Sequence, residues 1–431
     1  MVELTKDQDY VFKKVIERLG GGNSNNSQFS PDFKYITIGG FAGTGKTFLI
    51  SIIRNEIYNK WKRVNVAFVT FTGKASSVLS LKLEENNSIF DSDSCSTIHS
   101  LIYKPELKYD TKTKKMIISK WIKKEDLEYD LIIIDEASMI NGQIWKDLLY
   151  YKIPIIAVGD HGQLPPIGDR FNVMEKPQYV LTEIKRQALN NPIIRLSKDI
   201  RNGIEIPFGF YDKNNSNVFK LPWNSNECRS ILNKVDFLND DLIILCGFNK
   251  TRVKLNQMVR NKYGFTNNEP YPGEKIIFLK NNYLSKVLNG MLGKVLFFMY
   301  EAKNVYELTV SIDGYEHPYS GLVYDGCFGK EKYDEFTSEL NDRRFKKIIK
   351  NSNHGSIDLC DFGYCVSVHK FQGSESKKVI IFQEKNYYWD EEFMKRWLYT
   401  GITRAKEKVF IITPWFLISL LQNGHEKFYD S

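Results

Sequence analysis

The chain has 431 residues, of which 42% are hydrophobic and 14% are aromatic. This length predicts two to four domains, and the apolar content is sufficient for buried cores, which excludes a disordered chain. The 60 lysines and arginines exceed the 52 aspartates and glutamates, for a formal net charge of +8. This mild excess permits a polyanionic partner without requiring one, and it fits a solvated basic surface equally well.

The cysteine pattern and the ends of the chain indicate the compartment. The six cysteines form no C-x-x-C pair, so we expect reduced thiols rather than disulfides or zinc ligands. Residues 1–10 are polar and lack a signal-peptide core. The longest apolar run, Trp415–Leu421, is too short to span a bilayer. We therefore expect a soluble intracellular protein.

A phosphate-binding loop follows the first predicted strand. Leu4–Leu19 is predicted to form an amphipathic helix with a capping box between Thr5 and Gln8. Apolar and polar side chains alternate at residues 33–38, which predicts a strand. Residues 40–47 (GFAGTGKT) then fit the phosphate-loop pattern G-x-x-x-x-G-K-[ST], and an apolar helix is predicted directly after them. Gly43, Thr44 and Gly45 let the backbone N–H groups point at phosphates. Lys46 supplies a cation for the outer phosphates and Thr47 a hydroxyl for magnesium.

Two further apolar runs end in polar side chains. Residues 64–71 predict a buried strand that leads into Thr72-Gly73-Lys74. Residues 131–134 (LIII) predict a central parallel strand that delivers Asp135 and Glu136 at its carboxyl end. Asp135 is expected to hold magnesium, and Glu136 to orient and deprotonate the attacking water. A third strand, 154–158, precedes GDHGQLPP, where Gln163 is placed to sense the γ-phosphate.

Between residues 101 and 124 the chain becomes rich in lysine and aromatic residues. Tyr103–Tyr109 and Met116–Trp121 flank the polar turn DTKTK, which predicts a β-hairpin. Basic residues interleaved with aromatic ones suit an element that contacts a nucleic-acid strand, and a solvated hairpin with a small core is the alternative.

A second α/β unit and an insert are predicted in the rest of the chain. Strands are predicted at 179–185, 241–248, 379–382 and 409–413, and helices at 193–200, 251–261 and 397–406, the last of which carries Arg404. Four short strands, at 274–279, 293–299, 305–312 and 317–323, predict a small β-barrel-like insert, followed by a charged helix at 332–351.

Eight motifs in order resemble those of the superfamily 1B DNA helicases of the RecD/Dda-like group. They are GGFAGTGKT, TFTGKAS, STIHSL, IIIDEASMI, GDHGQLPP, LTEIKRQ, VSVHKFQGSE and LYTGITRAK. The resemblance covers nearly the whole chain. It implies an α/β fold of two RecA-like P-loop lobes, with a β-hairpin insert in the first lobe and an SH3-like β insert in the second. It also implies ATP and Mg²⁺ as cofactors and 5′→3′ movement on single-stranded DNA.

The resemblance assigns roles to residues that pattern alone leaves open. Lys46, Thr47, Asp135, Glu136 and Gln163 are similar to catalytic and sensor residues. Further expected nucleotide contacts are the adenine reader Gln8, the γ-phosphate arginines Arg186 and Arg404, and the closing-motif residues Gly373 and Glu375. The expected single-strand track comprises Thr72, Lys74, His99, Pro165, Ser367, His369 and Lys370. The sequence departs from the family pattern at Phe71, where proline is common, and at Ser367, where threonine is usual.

Five of these residues have a simpler alternative. Gln8 serves equally well as half of a capping box, and His99 as a helix-cap histidine. Arg186 fits a surface ion pair, and His369 with Lys370 fits an exposed loop.

The domain boundaries that follow are 1–178 for the first lobe, with the hairpin at 101–124, then 179–265 and 359–431 for the second lobe, with the β insert at 266–358. The predicted function is an ATP-dependent DNA helicase, acting as a monomer on single-stranded and forked duplex DNA in the cytoplasm of a bacterial or phage-infected cell. The alternative is a DNA-stimulated P-loop ATPase that remodels protein–DNA complexes without processive unwinding.

Overall fold

The structure, a computed structural model, describes most of the chain. The described residues are 4–20, 29–30, 32–110, 115–166, 168, 171–185, 188, 190–212, 215–282, 285, 287–312, 315, 317–333, 340, 343–352, 354–384, 386 and 388–414. The chain divides into two compact units, Met1–Ile194 and Arg195–Ser431.

The first unit is an α/β domain. Its helices are α1 (Lys6–Leu19), α2 (Lys46–Lys60), α3 (Gly73–Glu85), α4 (Ile98–Ile102) and α5 (Gly142–Tyr150), and α6 (Pro192–Arg201) begins at its end. Its strands are β1 (Tyr35–Gly40), β2 (Val66–Thr70), β3 (Ser94–Thr97), β4 (Tyr103–Asp110), β5 (Lys115–Lys123), β6 (Leu131–Ile134), β7 (Ile155–Gly159) and β8 (Tyr179–Leu181).

Six of these strands form one parallel sheet in the order β3-β2-β6-β7-β1-β8. Every residue of β2 and β6 is buried, because helices cover both faces of the sheet. Phe68 packs with residues of α1, α2 and α3, whereas its neighbour Val69 packs with Trp145 and Leu148 of α5. Since all six strands are parallel, their carboxyl ends lie along a single edge.

The first sheet extends beyond residue 178, where the sequence analysis ends the first lobe. Strand β8 pairs with β1, with Val180 opposite Gly39. Asp7 of α1 accepts hydrogen bonds from the backbone N–H groups of Thr182 and Glu183, at 2.7 and 3.0 Å. The first unit therefore ends at Ile194 and not at residue 178, because residues 179–183 are bonded to the first sheet and to α1.

The predicted hairpin is present in the first unit as two antiparallel strands that form a sheet separate from the six-stranded one. Strands β4 and β5 form a two-stranded sheet in which Tyr103 lies opposite Lys123. Turn residues 111–114, which include Lys112 and Lys114, lie outside the described residues.

The second unit contains a second sheet and a barrel. Its helices are α7 (Asn226–Lys234), α8 (Asn249–Lys262), α9 (Arg343–Asn351) and α10 (Glu391–Ile402). Its strands are β9 (Gly209–Asp212), β10 (Asn215–Pro222), β11 (Leu242–Cys246), β12 (Lys275–Phe278), β13 (Leu292–Ala302), β14 (Val305–Ile312), β15 (Tyr319–Tyr324), β16 (Ile357–Phe362), β17 (Cys365–Ser367), β18 (Ser376–Phe382) and β19 (Ala405–Thr413).

The second sheet has the order β17-β11-β18-β19-β10-β9, and its strands are parallel except for β9. Strands β9 and β10 lie in a stretch to which the sequence analysis assigns no strand. The predicted helix at 397–406 is corrected: α10 ends at Ile402 and Arg404 lies in the turn before β19. Within the charged helix predicted at 332–351, the structure shows a helix at Arg343–Asn351 (α9). Residues 334–339 and 341–342 lie outside the described part.

The insert is a closed barrel of β12 to β16. No strand is predicted at 357–362, and the predicted insert ends at residue 358. Strand β16 instead closes the barrel by pairing with β12 and β15, so the insert extends to Phe362. The prediction of an α/β fold with two lobes is confirmed.

Two other expectations concern the thiols and the membrane. All six cysteines are described, and all are free thiols. Within the described residues, no helix has the length and apolar character needed to cross a membrane. The run Trp415–Leu421 lies outside those residues.

Candidate functional site

The glycine loop joins the carboxyl end of β1 to the first turn of α2. Gly43 and Gly45 have φ angles of +83° and +76°, which L side chains rarely adopt. A Cβ atom on Gly45 would lie only 2.6 Å from Nε2 of Gln8. The loop thus needs glycine for its backbone conformation and, at Gly45, for space. It lies at the N-terminus of a 15-residue helix, a position that favours anions.

Lys46 is held inside this loop. Its Nζ atom donates to the carbonyl oxygens of Gly40 and Phe41 at 2.9 and 3.1 Å. It also lies 3.9 Å from Oδ2 of Asp160, a buried carboxylate at the end of β7. Asp160 lies in the motif GDHGQLPP, in which only Gln163 and Pro165 have expected roles. Asp160 directly follows β7, a buried strand that lies next to β1 in the sheet. A carboxylate directly after a buried strand is the sequence signal that would have identified it.

The expected magnesium ligands are in contact with each other. The Thr47 hydroxyl donates to Oδ2 of Asp135 at 3.2 Å, while Oδ1 of Asp135 accepts from the N–H of Glu136 at 2.9 Å. Within the described residues, no three His, Cys, Asp or Glu side chains group as metal ligands. A hydroxyl and one carboxylate fit Mg²⁺, which keeps most of its coordination shell for water and substrate phosphate.

Gln163 and Gln8 are both buried, and Gln8 contacts the loop directly. Gln163 follows β7, the strand between β6 and β1 in the sheet, and is 3% exposed. Gln8 is fully buried, and its Nε2 atom donates to the Thr44 carbonyl at 2.7 Å. Its Oε1 atom accepts from the Thr5 N–H at 3.1 Å, which completes the capping box of α1. The capping alternative therefore describes part of what Gln8 does, and the contact with Thr44 ties α1 to the loop.

Lys185 is a loop neighbour that the sequence analysis does not identify. Its backbone N–H donates to the Gly43 carbonyl at 3.2 Å, and its ammonium lies 3.8 Å from the centre of the Phe48 ring. Burial lowers the pKa of Lys185. No local pattern reveals this contact, because Lys185 reaches the loop from well over a hundred residues away. Arg186, the next residue, lies outside the described residues.

The expected strand-contacting residues of the first unit follow neighbouring strands of the same sheet. Thr72 caps α3 by accepting from the Ala75 N–H at 3.2 Å, and Lys74 lies in the first turn of that helix. His99 lies in α4, which follows β3. Its ring centre is 6.2 Å from that of Phe71 and 5.6 Å from that of Tyr103. Burial lowers the pKa of His99, so the ring is neutral near pH 7.

Sheet order separates the two groups of residues on this edge. The loop, Asp135 and Asp160 follow the adjacent strands β1, β6 and β7, whereas Thr72 and His99 follow β2 and β3 at the other side. Pro165, the remaining expected contact in this unit, is half-buried in the turn after β7.

A buried carboxylate joins both ends of the hairpin to α5. Asp147 of α5 accepts from the Tyr103 hydroxyl at 2.5 Å and pairs with Nζ of Lys123 at 2.9 Å. Tyr151 adds hydrogen bonds of 2.9 Å to the carbonyl oxygens of Ile102 and Lys124. Burial acts to raise the pKa of Asp147, but hydrogen bonds from Tyr103 and Lys123 hold it below its usual range. We call Tyr103, Lys123, Asp147 and Tyr151 the hairpin foot.

The expected strand-contacting residues of the second unit lie at the end of β17. Ser367 accepts from the Lys370 N–H at 3.3 Å, and His369 and Lys370 begin a short 3-10 turn. Burial lowers the pKa of His369 to about 4, so its ring too is neutral near pH 7. A neutral, half-buried ring packed 6.1 Å from Phe393 does not fit the exposed-loop alternative for His369.

Arg404 and the closing-motif residues also lie together. Arg404 is 4% exposed, and its guanidinium donates to the carbonyl oxygens of Thr400 and Ser374 at 3.2 and 3.5 Å. Ser374 lies between Gly373, which has a φ angle of +73°, and Glu375, which pairs with Lys406 at 3.3 Å. The structure thus brings Arg404 to the segment that the resemblance assigns to nucleotide closure.

Two segments of the chain match known protein families. A family model described as an AAA domain matches residues 29–169, and one described as a UvrD-like helicase C-terminal domain matches residues 362–412. The chain is 25% identical to the ATP-dependent RecD2 DNA helicase of Deinococcus radiodurans, over 66% of this chain and 36% of that protein. It is 26% identical to the ATP-dependent DNA helicase dda of Enterobacteria phage T4, over 88% of this chain and 94% of that protein.

Among solved structures, Bacteroides Pif1 bound to ssDNA is 16% identical, with a TM-score of 0.49, and the match covers 98% of this chain and 97% of that one. The chain spans little more than a third of the length of the first two curated relatives it matches, 37% and 36%.

Proposed function

We propose that this chain, which belongs to the superfamily 1B helicases of the RecD/Dda-like group, is an ATP-dependent DNA helicase that moves 5′→3′ on single-stranded DNA and unwinds duplex DNA. The observation that carries the proposal is the order of residues along the first sheet. Lys46 and the Thr47–Asp135 pair gather at the glycine loop, and the expected strand contacts follow adjacent strands of the same edge. The curated relatives RecD2 and dda are named as ATP-dependent DNA helicases.

The residues at the loop divide the work of ATP hydrolysis. Lys46 neutralises charge on the outer phosphates, and Glu136 orients the attacking water and accepts its proton. Thr47 and Asp135 would hold Mg²⁺, which supplies charge neutralisation on the phosphates when bound. Gln163 senses the γ-phosphate, and Gln8 contacts adenine. Arg186 and Arg404 stabilise the charge that develops as the γ-phosphate leaves, while Gly373 and Glu375 belong to the segment that responds to nucleotide.

Single-stranded DNA is the proposed track. Lysines and backbone N–H groups hold phosphates, and this part of the affinity depends on salt. Phe71, whose side chain lies beside His99, offers a face on which a base can stack. Both track histidines have pKa values lowered by burial, so they contribute as neutral hydrogen-bonding or stacking groups. Thr72, Lys74, Pro165, Ser367 and Lys370 complete the proposed contacts.

The hairpin is the proposed strand-separating element. Its two strands meet at the hairpin foot, where one carboxylate contacts both, so its base cannot open without breaking those bonds. We assign the chain to a monomeric motor that works with replication, recombination or repair proteins in the cytoplasm of a bacterial or phage-infected cell.

ATPase and unwinding assays with the wild type and Lys46→Ala test this function. Single-stranded DNA should stimulate wild-type ATP hydrolysis, and the protein should unwind a 5′-tailed duplex but not a 3′-tailed one. Lys46→Ala should bind single-stranded DNA and hydrolyse no ATP. If single-stranded DNA stimulates ATP hydrolysis but neither duplex is unwound, the chain is the remodelling ATPase and not a helicase. If Lys46→Ala still hydrolyses ATP, the glycine loop is not the site of hydrolysis.

A further inference from the structure

Lys370 lies where the barrel of the second unit meets the segment after β17. Its Nζ atom is 5.1 Å from the centre of the Tyr333 ring, which belongs to the connection between β15 and β16. Its carbonyl oxygen lies 3.2 Å from the position that a Cβ atom would take on Gly290, in the turn before β13. Two separate connections of the barrel therefore approach the same lysine, one at its backbone and one at its ammonium group.

Tyr333 is itself held at its hydroxyl. The phenol donates to Oδ2 of Asp361 at 2.9 Å, and Asp361, on β16, is 1% exposed. The same carboxylate pairs with Arg252 of α8 and accepts the N–H groups of Gly329 and Phe362 at 2.7 and 2.8 Å. Because its acceptor is fixed by three other groups, the Tyr333 ring has one preferred orientation.

A fixed aromatic face restricts the directions that a lysine side chain can take. The lysine side chain has four rotatable bonds, and ordering it on a bound phosphate costs conformational entropy. An ammonium group at about 5 Å from a ring centre is attracted by the negative ring face. Tyr333 therefore reduces the directions that the Lys370 ammonium samples before any strand arrives.

We infer that Tyr333 is a positioning residue that holds Lys370 ready for a strand phosphate, so that the barrel insert sets part of the grip on single-stranded DNA. This rests on the proposed function, in which Lys370 is a strand contact. Asp361 and Arg252 act through Tyr333 and touch no DNA themselves. The barrel insert then helps to position a residue that contacts the DNA strand.

Binding of a labelled oligothymidylate by full-length variants, measured at several salt concentrations, tests the inference. Lys370→Ala should weaken binding and reduce the slope of log K against log salt by about 0.7, the value for one phosphate contact on a single strand. Tyr333→Leu should weaken binding about two- to fivefold. Tyr333→Phe, which keeps the ring but loses the hydroxyl bond that orients it, should bind with an affinity between those of Tyr333→Leu and the wild type. In the Lys370→Ala background, Tyr333→Leu should have no further effect.

Several results would overturn the inference. Unchanged binding in Tyr333→Leu would do so, as would an equal loss with and without Lys370, which would mark a general defect of the barrel. Thermal unfolding of each variant identifies a fold defect, and Tyr333→Met replaces Tyr333→Leu if the leucine variant does not unfold cooperatively. These outcomes are distinct from failure of the proposed function, in which the wild type itself binds no oligothymidylate and its ATPase activity is not stimulated.

Discussion

The hairpin foot gives a prediction that separates unwinding from movement along DNA. Replacing Asp147 by alanine removes the shared acceptor of Tyr103 and Lys123, which lie at the two ends of the hairpin. We expect the base of the hairpin to loosen, because only the two Tyr151 hydrogen bonds of the hairpin foot remain, while the glycine loop and the track residues keep their own contacts. The variant should therefore hydrolyse ATP in response to single-stranded DNA and fail to open a duplex.

The magnitude follows from the two bonds. A hydrogen bond to a charged group contributes about 1.5–3 kcal/mol when it is shielded from water, which applies to the Tyr103–Asp147 bond, where Asp147 is 5% exposed. Lys123 is 38% exposed, so its ion pair adds at most about 1 kcal/mol. Together they give roughly 3 kcal/mol, which corresponds to an increase of about 100-fold in the population of a released hairpin.

The assay compares the initial rate of forked-duplex unwinding with the rate of translocation on single strands. Asp147→Asn keeps an acceptor for Tyr103 but loses the charge that pairs with Lys123, and we expect an intermediate unwinding rate. Glu125→Ala, which removes an exposed carboxylate beyond the end of β5, is the matched control and should unwind normally. Unwinding by Asp147→Ala at the wild-type rate would refute the reasoning. Equal loss of translocation and unwinding would instead make the foot a general structural element.

Three further predictions concern the hairpin, the nucleotide site and acid stability. Replacing residues 106–119 by a short Gly-Ser turn should spare translocation and abolish unwinding; equal loss of both would mean that the hairpin is a core element. Gln8→Ala, which loses the bond to the Thr44 carbonyl, should raise the KM for ATP about fivefold with little change in kcat, as expected for one hydrogen bond. Gln8→Glu, which keeps the capping-box acceptor, is its control, and an unchanged KM in both variants would leave Gln8 with the capping role alone. His369 has a pKa of about 4 in the folded chain and about 6.5 when unfolded, so its contribution to stability is complete above pH 6.5 and is lost as the pH falls towards 4. The free energy of unfolding should fall by about 3 kcal/mol more in the wild type than in His369→Gln over that range; parallel pH profiles would contradict the assignment.

The parts of the fold that were predicted correctly have strong local signals. Residues 131–134 are four apolar residues in a row, and a fully buried central strand needs such a run. The glycine loop is similarly local, because Gly43 and Gly45 must adopt positive φ angles wherever the chain folds. The hairpin was predictable because two alternating segments flank one polar turn.

The parts that were missed depend on partners far along the chain. Strand β16 (IDLCDF) is buried at every residue although it carries Asp358 and Asp361, which argue against a buried strand when only the sequence is read. Asp358 is satisfied by Tyr319 and Asn282, at 2.8 and 2.6 Å, and Asp361 by Arg252. Long-range pairing of this kind leaves no periodic signal, and the same is true of Asp147 at the hairpin foot.

Glu136 shows how the demands of the site override local preference. It is a non-glycine residue with a φ angle of +55°, a conformation that costs a residue with a Cβ atom about 1 kcal/mol or more. Glycine or asparagine would relieve that cost. Glu136 follows Asp135 directly after β6, and its backbone N–H donates to the Asp135 carboxylate at 2.9 Å. A strand continued in extended conformation would place successive side chains on opposite faces of the sheet. The positive φ angle at Glu136 instead interrupts the extended backbone directly after Asp135 and leads it into the short 3-10 turn at Ala137–Met139, so Asp135 lies at the point where the strand ends.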